Sequence, residues 1–204
     1  MKVKLTKGEL KKQRDALSQY ERYLPTLQLK KQQLQLEILQ QLSLLTEKKQ
    51  LETKKKEAIS VWAGLLSEEV GGFKAWILPL NVITTEKNVA GVVLPVFEKA
   101  EFPEADYDLF DTPLWVDFAI DAFRQLVCLR EEIETIEKGI EILRQELRIT
   151  TQRVNLFEKV KIPDTREAIR LIKIYIGDQL TNAVGRSKIA KRKIEEAVFE
   201  GAAA

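Results

Sequence analysis

The groups in this sequence best able to do chemistry are carboxylates. Glu104, Asp106, Asp108 and Asp111 crowd one short stretch, with Phe102, Tyr107 and Phe110 set among them. Such hard oxygen donors suit a divalent cation, but their spacing is not that of a calcium loop, so no metal site is expected. Histidine is absent and Cys128 is the single cysteine. That removes the usual zinc sites and the common activated nucleophiles, so neither catalytic residues nor a cofactor are expected. A lone cysteine also forms no internal disulfide framework and suits a reducing compartment. Two basic runs, Lys54-Lys55-Lys56 and Arg186 to Lys193, have the charge to meet phosphate, yet no aromatic platform interleaves them. They read as solvated helix faces, and no nucleic-acid partner is expected.

What must position these groups is helical. From Leu126 to Phe157 one heptad position gives Leu126, Ile133, Ile140, Leu147 and Val154, and the position three later gives Leu129, Ile136, Leu143, Thr150 and Phe157. Nine of these ten are apolar, and the residues between them are largely charged, as in Arg130-Glu131-Glu132 and Arg144-Gln145-Glu146. This is a coiled-coil seam, and its 3.5-residue period demands a left-handed supercoil with a partner helix. The partner is expected in the same chain. Thr6, with Glu9 three residues on, forms a capping box that opens a helix. Its heptads run Leu10, Leu17, Leu24, Lys31, Ile38 and Leu45, with Lys31, Gln41 and Lys48 interrupting the stripe. Such an interrupted seam suits a fixed intramolecular pair better than a self-sufficient zipper. Between Leu34 and Leu45 the apolar set widens to include Leu36, Leu39, Leu42 and Leu44, enough for a second neighbour. Pro25 costs a helix interior about 3 kcal/mol, so a kink or a restart is expected there. A continuous first helix would measure roughly 90 Å.

Four of the six prolines fall between Gly71 and Pro113, where the helical pattern lapses. Trp76 to Thr85 and Val89 to Phe97 read as two strands around a Glu86-Lys87-Asn88 turn, and Thr112-Pro113 opens the second helix. The expected fold is therefore mainly α: two very long helices in an antiparallel left-handed coiled coil, with a small central head containing a short β-hairpin. The expected divisions are a first long helix over 1–70, an acidic head over 71–113, a second long helix over 114–185 with a kink near 162–164, and a basic tail over 186–204. Ile162, Ile169 and Ile176 with Leu171, Ile172 and Tyr175 continue a broad apolar face, and Gly201 to Ala204 should fray. Charge is uneven: residues 1–60 hold 14 basic and 7 acidic side chains, residues 61–125 hold 4 and 11. No run of about 18 uncharged apolar residues and no charged-then-apolar leader is seen, so neither membrane insertion nor secretion is expected.

Three motifs give the chain a family likeness: Thr6-Lys7-Gly8-Glu9-Leu10; Asn88-Val89-Ala90-Gly91-Val92-Val93-Leu94-Pro95; and Thr151-Gln152-Arg153-Val154-Asn155-Leu156-Phe157-Glu158 followed by Ile162-Pro163. With the layout of the whole chain they resemble the D subunits of the V-type rotary ATPases. That family's third motif usually reads Thr-Arg-Arg-Val-Asn-Ala-Leu-Glu, from which Gln152, Leu156 and Phe157 depart. The resemblance implies the central rotor shaft of a V-type ATPase or ATP synthase. In such an enzyme the paired helices enter a hexamer of A and B subunits, the head binds the small F subunit, and the lower end meets the adaptor on the membrane ring. The complex would be cytoplasmic and peripheral on the inner face of the cell membrane. The resemblance also implies hexamer contacts at Thr6, Lys7, Leu10, Arg153, Asn155, Arg186, Lys188, Lys191 and Arg192, and contacts to the F subunit at Trp76, Val82, Val89, Val92, Leu94 and Phe97. The rival is a prefoldin-like chaperone, which also joins two coiled-coil arms through hairpins. Against it stand the tips, Lys2-Val3-Lys4-Leu5 and the basic C-terminal run, which lack a client-binding apolar surface.

Overall fold

The computed structural model describes residues 4–68, 70–108, 110 and 112–202. Lys2, Val3, Asp111, Ala203 and Ala204, invoked above, lie outside the described residues. Helix α1 spans Lys7–Ser60 and is followed by a tight 3-10 turn at Ala63–Ser67 and a short helix α2, Phe73–Ile77. Strands β1 (Asn81–Val89) and β2 (Val92–Glu101) form an antiparallel hairpin. Helix α3 spans Trp115–Leu156, a π turn occupies Phe157–Lys161, and α4 runs over Ile162–Ala202. Contacts divide the chain into a central part, Leu29–Thr151, and a terminal part, Met1–Gln28 with Gln152–Ala204.

Five expectations are corrected by the backbone. The first long helix, expected over 1–70, stops at Ser60: Trp62 N–H turns to the Ile59 carbonyl, and Leu65 N–H to that of Trp62, three residues back. This tightening delivers the Trp62 ring to Phe118 and Phe123, at 5.6 and 6.0 Å between ring centroids. The hairpin turn is not Glu86-Lys87-Asn88, which belongs to β1, but Ala90-Gly91. Both turn residues have positive φ, 51° and 77°. That two-residue geometry matches strand twist, and Asn88 Oδ1 braces it by accepting the Gly91 N–H at 3.0 Å. Trp76 sits in α2 rather than in a strand.

The irregularity expected near 162–164 lies at 157–161, ahead of Pro163. Seam residues Leu147, Thr150, Val154 and Phe157 advance by three, four and three, and so do Ile162, Thr165, Ile169 and Ile172; the step from Phe157 to Ile162 is five. At about 100° per residue, an α-helix would swing the later stripe off the seam. The wider turn absorbs the extra residue, with Ile162 N–H bonded to the Phe157 carbonyl. Finally, α4 passes through Gly177 and Gly185 without a break, so the residues expected as a basic tail continue the helix to Ala202.

In the central part α1 and α3 pair antiparallel. Lys30 meets Glu146 at 2.8 Å, Lys48 meets Glu132 at 2.8 Å, and Lys55 Nζ donates to Gln125 Oε1 at 2.9 Å, so position rises on one helix as it falls on the other. The hairpin tip closes over this pair: Leu34, Ile38, Val92, Leu94 and Leu143 form one buried cluster, with Leu42, Val89, Ala90 and Leu147 packed around it.

Candidate functional site

Along the seam Leu129, Ile133, Ile136, Ile140, Leu143 and Val154 are buried, and Leu126, Leu147 and Phe157 are half-buried. The face is wider than the two heptad positions: Thr135, Gly139, Ala119 and Ile120 are buried too. Thr135 Oγ1 donates to the Glu131 carbonyl at 2.8 Å, which lets a hydroxyl lie inside an apolar face. This assembly places no reacting group. Among the described residues no three metal-binding side chains converge. Cys128 is half-buried, and burial pushes its thiol above the ordinary value, a setting for an inert cysteine.

What the fold does create is a set of apolar faces without cover among the described residues. The first lies on α1 in the central part. Leu29, Leu36 and Leu39 are 58%, 61% and 64% exposed, and with Gln32 and Gln35 they recur at three- and four-residue steps. A groove of about 630 Å³ runs here, floored by Ile38 and Leu147.

The second lies around the end of α1 and the start of α3. Phe73 packs edge-on to Trp115 and Phe123, at 5.8 and 5.9 Å, while Trp76 lies 5.3 Å from Tyr107. Arg124 holds this cluster together. Its Nε donates to the Trp76 carbonyl at 3.0 Å, a terminal nitrogen donates to the Pro103 carbonyl at 2.6 Å, and the guanidinium lies 5.3 Å over the Phe102 ring. Tyr107 donates its hydroxyl to Asp117. Outside the cluster Val61, Leu65, Leu78, Leu80, Leu114 and Phe118 face solvent.

The third lies in the terminal part. The start of α1 and the start of α4 share a groove lined by Glu9, Lys12, Ala16, Tyr20, Thr165, Ala168 and Leu171. Among the described residues of the terminal part no helix lies beside α4 beyond this point, and residues 177–198 are all exposed. Leu180, Val184, Ile194 and Val198, with Ser187 and Lys191, step by four and three along one stripe of it.

The residues singled out in the sequence divide among these faces. Thr6 caps α1, its Oγ1 accepting the Glu9 N–H at 3.2 Å; Lys7 is exposed and Leu10 half-buried. Arg153 and Asn155 are exposed beside buried Val154. Arg186, Lys188, Lys191 and Arg192 are exposed on the overhanging helix, Lys191 and Arg192 facing Glu195 and Glu196 at 3.7 and 3.4 Å. Trp76, Val82, Val89 and Phe97 are half-buried. Val92 and Leu94, assigned above to a partner, are corrected: they pack on Leu34, Ile38 and Leu143 inside the chain, and Leu94 is 3% exposed. Arg124 and the overhanging stripe were missed. A lone arginine in a stretch of eleven acidic and four basic residues, and the 180–184–187–191–194–198 spacing, were the available signals.

Comparison with known proteins adds a family. Residues 9–192 match the family described as the ATP synthase D subunit. The D subunit of the V-type ATP synthase of Borreliella burgdorferi is 46% identical over 193 residues, covering 95% of each chain. That of Chlamydia abortus is 36% identical over 197 residues, covering 95% of this chain and 94% of the relative.

Proposed function

Because the chain belongs to the family of ATP synthase D subunits, it is a central-stalk subunit of a V-type rotary ATPase, and we propose that it serves there as the rotor shaft. In this role it transmits torque between ATP hydrolysis or synthesis in a catalytic hexamer and ion translocation in a membrane ring. The observation that carries the reading is the overhang of α4: an exposed helix with an apolar stripe, extending from a helical pair that stabilises it at one end. The prefoldin-like alternative is not supported, since the family match runs through nearly the whole chain.

In this reading A and B subunits surround the terminal part. The apolar stripe Leu180, Val184, Ile194 and Val198 runs in their bearing, while Arg186, Lys188, Lys191 and Arg192, with Thr6, Lys7, Leu10, Arg153 and Asn155, make polar contacts around it. The F subunit is seated on the Leu29–Leu36–Leu39 face and the neighbouring hairpin rather than on Val92 and Leu94. The adaptor of the membrane ring takes the apolar end near Leu80 and Phe118. The shaft itself is non-catalytic, binds no nucleic acid and stays at the inner face of the cell membrane through the complex. Among the described residues no helix is long and apolar enough to cross a membrane. Work is done by difference: a two-helix shaft offers different side chains in each direction, and it biases three otherwise equivalent catalytic interfaces only through contacts that differ between their states.

Purification of the tagged chain from its own cells, with an ATPase assay, tests the reading. The expected result is co-elution of A and B subunits and a small partner in about one copy per shaft. Recovery with unfolded clients and no ATPase components would overturn it. Truncation of residues 186–204 should leave the central part folded while weakening coupling between ATP turnover and ion movement. Full coupling in the truncated complex would remove the role given to the overhang.

A further inference from the structure

Both helices of the terminal part interrupt their i to i−4 hydrogen-bond ladder, in adjoining turns. On α1, Pro25 has no N–H to give the Glu21 carbonyl, yet the helix continues through it. Glu21, Arg22, Tyr23 and Pro25 are exposed and only Leu24 is half-buried, so the gap opens largely to solvent. On the facing helix the bond from Ile162 N–H reaches back five residues to the Phe157 carbonyl. Two cross-links set these gaps side by side: the Tyr20 ring stacks on Phe157 at 5.3 Å between centroids, and Arg166 meets Glu21 at 2.7 Å. Packing at this level is one-sided. Val154, Ile162 and Thr165 are buried, whereas no described residue of α1 before Leu34 is. Interior prolines and π turns are the recurrent places where helices kink, and segments with few buried contacts open at the least cost.

We propose that Pro25 and the Phe157–Lys161 turn together form a compliant joint in the helical pair. The Tyr20–Phe157 stack holds the helices together at the joint while the weakened ladders let each backbone bend or twist, without unfolding the core built on Leu34 and Leu143. The joint follows from the backbone of the free chain, so it goes beyond the rotor reading and stands or falls apart from it.

Native-state hydrogen exchange on the full chain tests it, comparing the unaltered protein with Pro25→Ala, with deletion of Val160, and with both. Deleting Val160 shortens the five-residue step to four, which restores an ordinary helical ladder and keeps the seam in phase; Val160 is exposed, so no core is lost. In the unaltered chain, amides at 22–26 and 157–163 should exchange at least about a hundredfold faster than those of Leu34–Leu44. Each change should slow exchange at both gaps by about tenfold or more, because the stacked helices share the opening, and should leave 133–147 unaffected. Equal protection at the gaps and at Leu34–Leu44 in the unaltered chain would overturn the joint. So would slowing confined to the altered helix, which would leave two separate irregularities.

Discussion

In the central part the helical pair has a third layer, and among the described residues of the terminal part it has none. The hairpin tip sets Val92 and Leu94 on Leu34, Ile38 and Leu143, so both α1 and α3 reach full burial there. In the terminal part Ile162, Ile169 and Ile172 are buried on α4, but the α1 side stays half-covered from Glu9 to Gln28. The same heptad chemistry therefore yields a core in one place and a strip in the other. Two helices alone shield only the line between them, and a small sheet laid along that line completes the enclosure.

The sharpest way to break this contrast is Leu143→Asp. An unpaired carboxylate in the fully buried cluster should cost about 5 kcal/mol or more, as an uncompensated buried charge does, lowering the main thermal transition by roughly 10–20 °C in circular dichroism. A small shift would mean that the hairpin does not seal the core. A smaller and more local effect is expected from Ile172→Ala, which removes a fully buried side chain of the terminal part. The loss should be about 2–3 kcal/mol, at the low end for such truncations because a two-layer site collapses more readily. Helix signal should begin to fall ahead of the main transition, and simultaneous melting of everything would erase the distinction between the parts. The smallest effect concerns the Lys48–Glu132 pair. Lys48→Glu should cost about 0.5–1 kcal/mol and Glu132→Lys a similar amount, while the double exchange recovers most of it, and all three differences should shrink in high salt. Additive losses in the double exchange would show that the pair sets no register.

The seam was readable because period and chemistry agree: Leu129, Ile133, Ile136, Ile140 and Leu143 sit in a background of charge, so their burial follows from spacing alone. The hairpin was readable as a hairpin, but its turn was displaced. Glu86-Lys87-Asn88 has the polarity of a turn, whereas Ala90-Gly91 hides inside an apolar run, and only the φ values distinguish them. The π turn was masked in a similar way. The Leu126 to Val154 series extrapolates to Lys161, one residue before the Ile162, Ile169 and Ile176 series, but the breadth of the later apolar face conceals that step. Val92 and Leu94 illustrate a limit of another kind. An apolar strand face announces that it will be covered; whether its own chain or a partner supplies the cover depends on where the hairpin lies against the helices, which no local pattern encodes.

The direction of the ion pairs has a consequence for how the chain is made. Between α1 and α3 every ion pair sets a lysine of α1 against a glutamate of α3, Lys30 to Glu146, Lys48 to Glu132 and Lys49 to Glu137. During translation α1 leaves the ribosome first, and Leu34 waits about a hundred residues for Leu143, roughly 5–20 s at ordinary synthesis rates. Over that interval the α1 stripe of another nascent copy would compete for the same seam. A basic helix whose stripe is broken by Lys31 and Lys48 repels such a twin and keeps its seam vacant until its own acidic partner emerges.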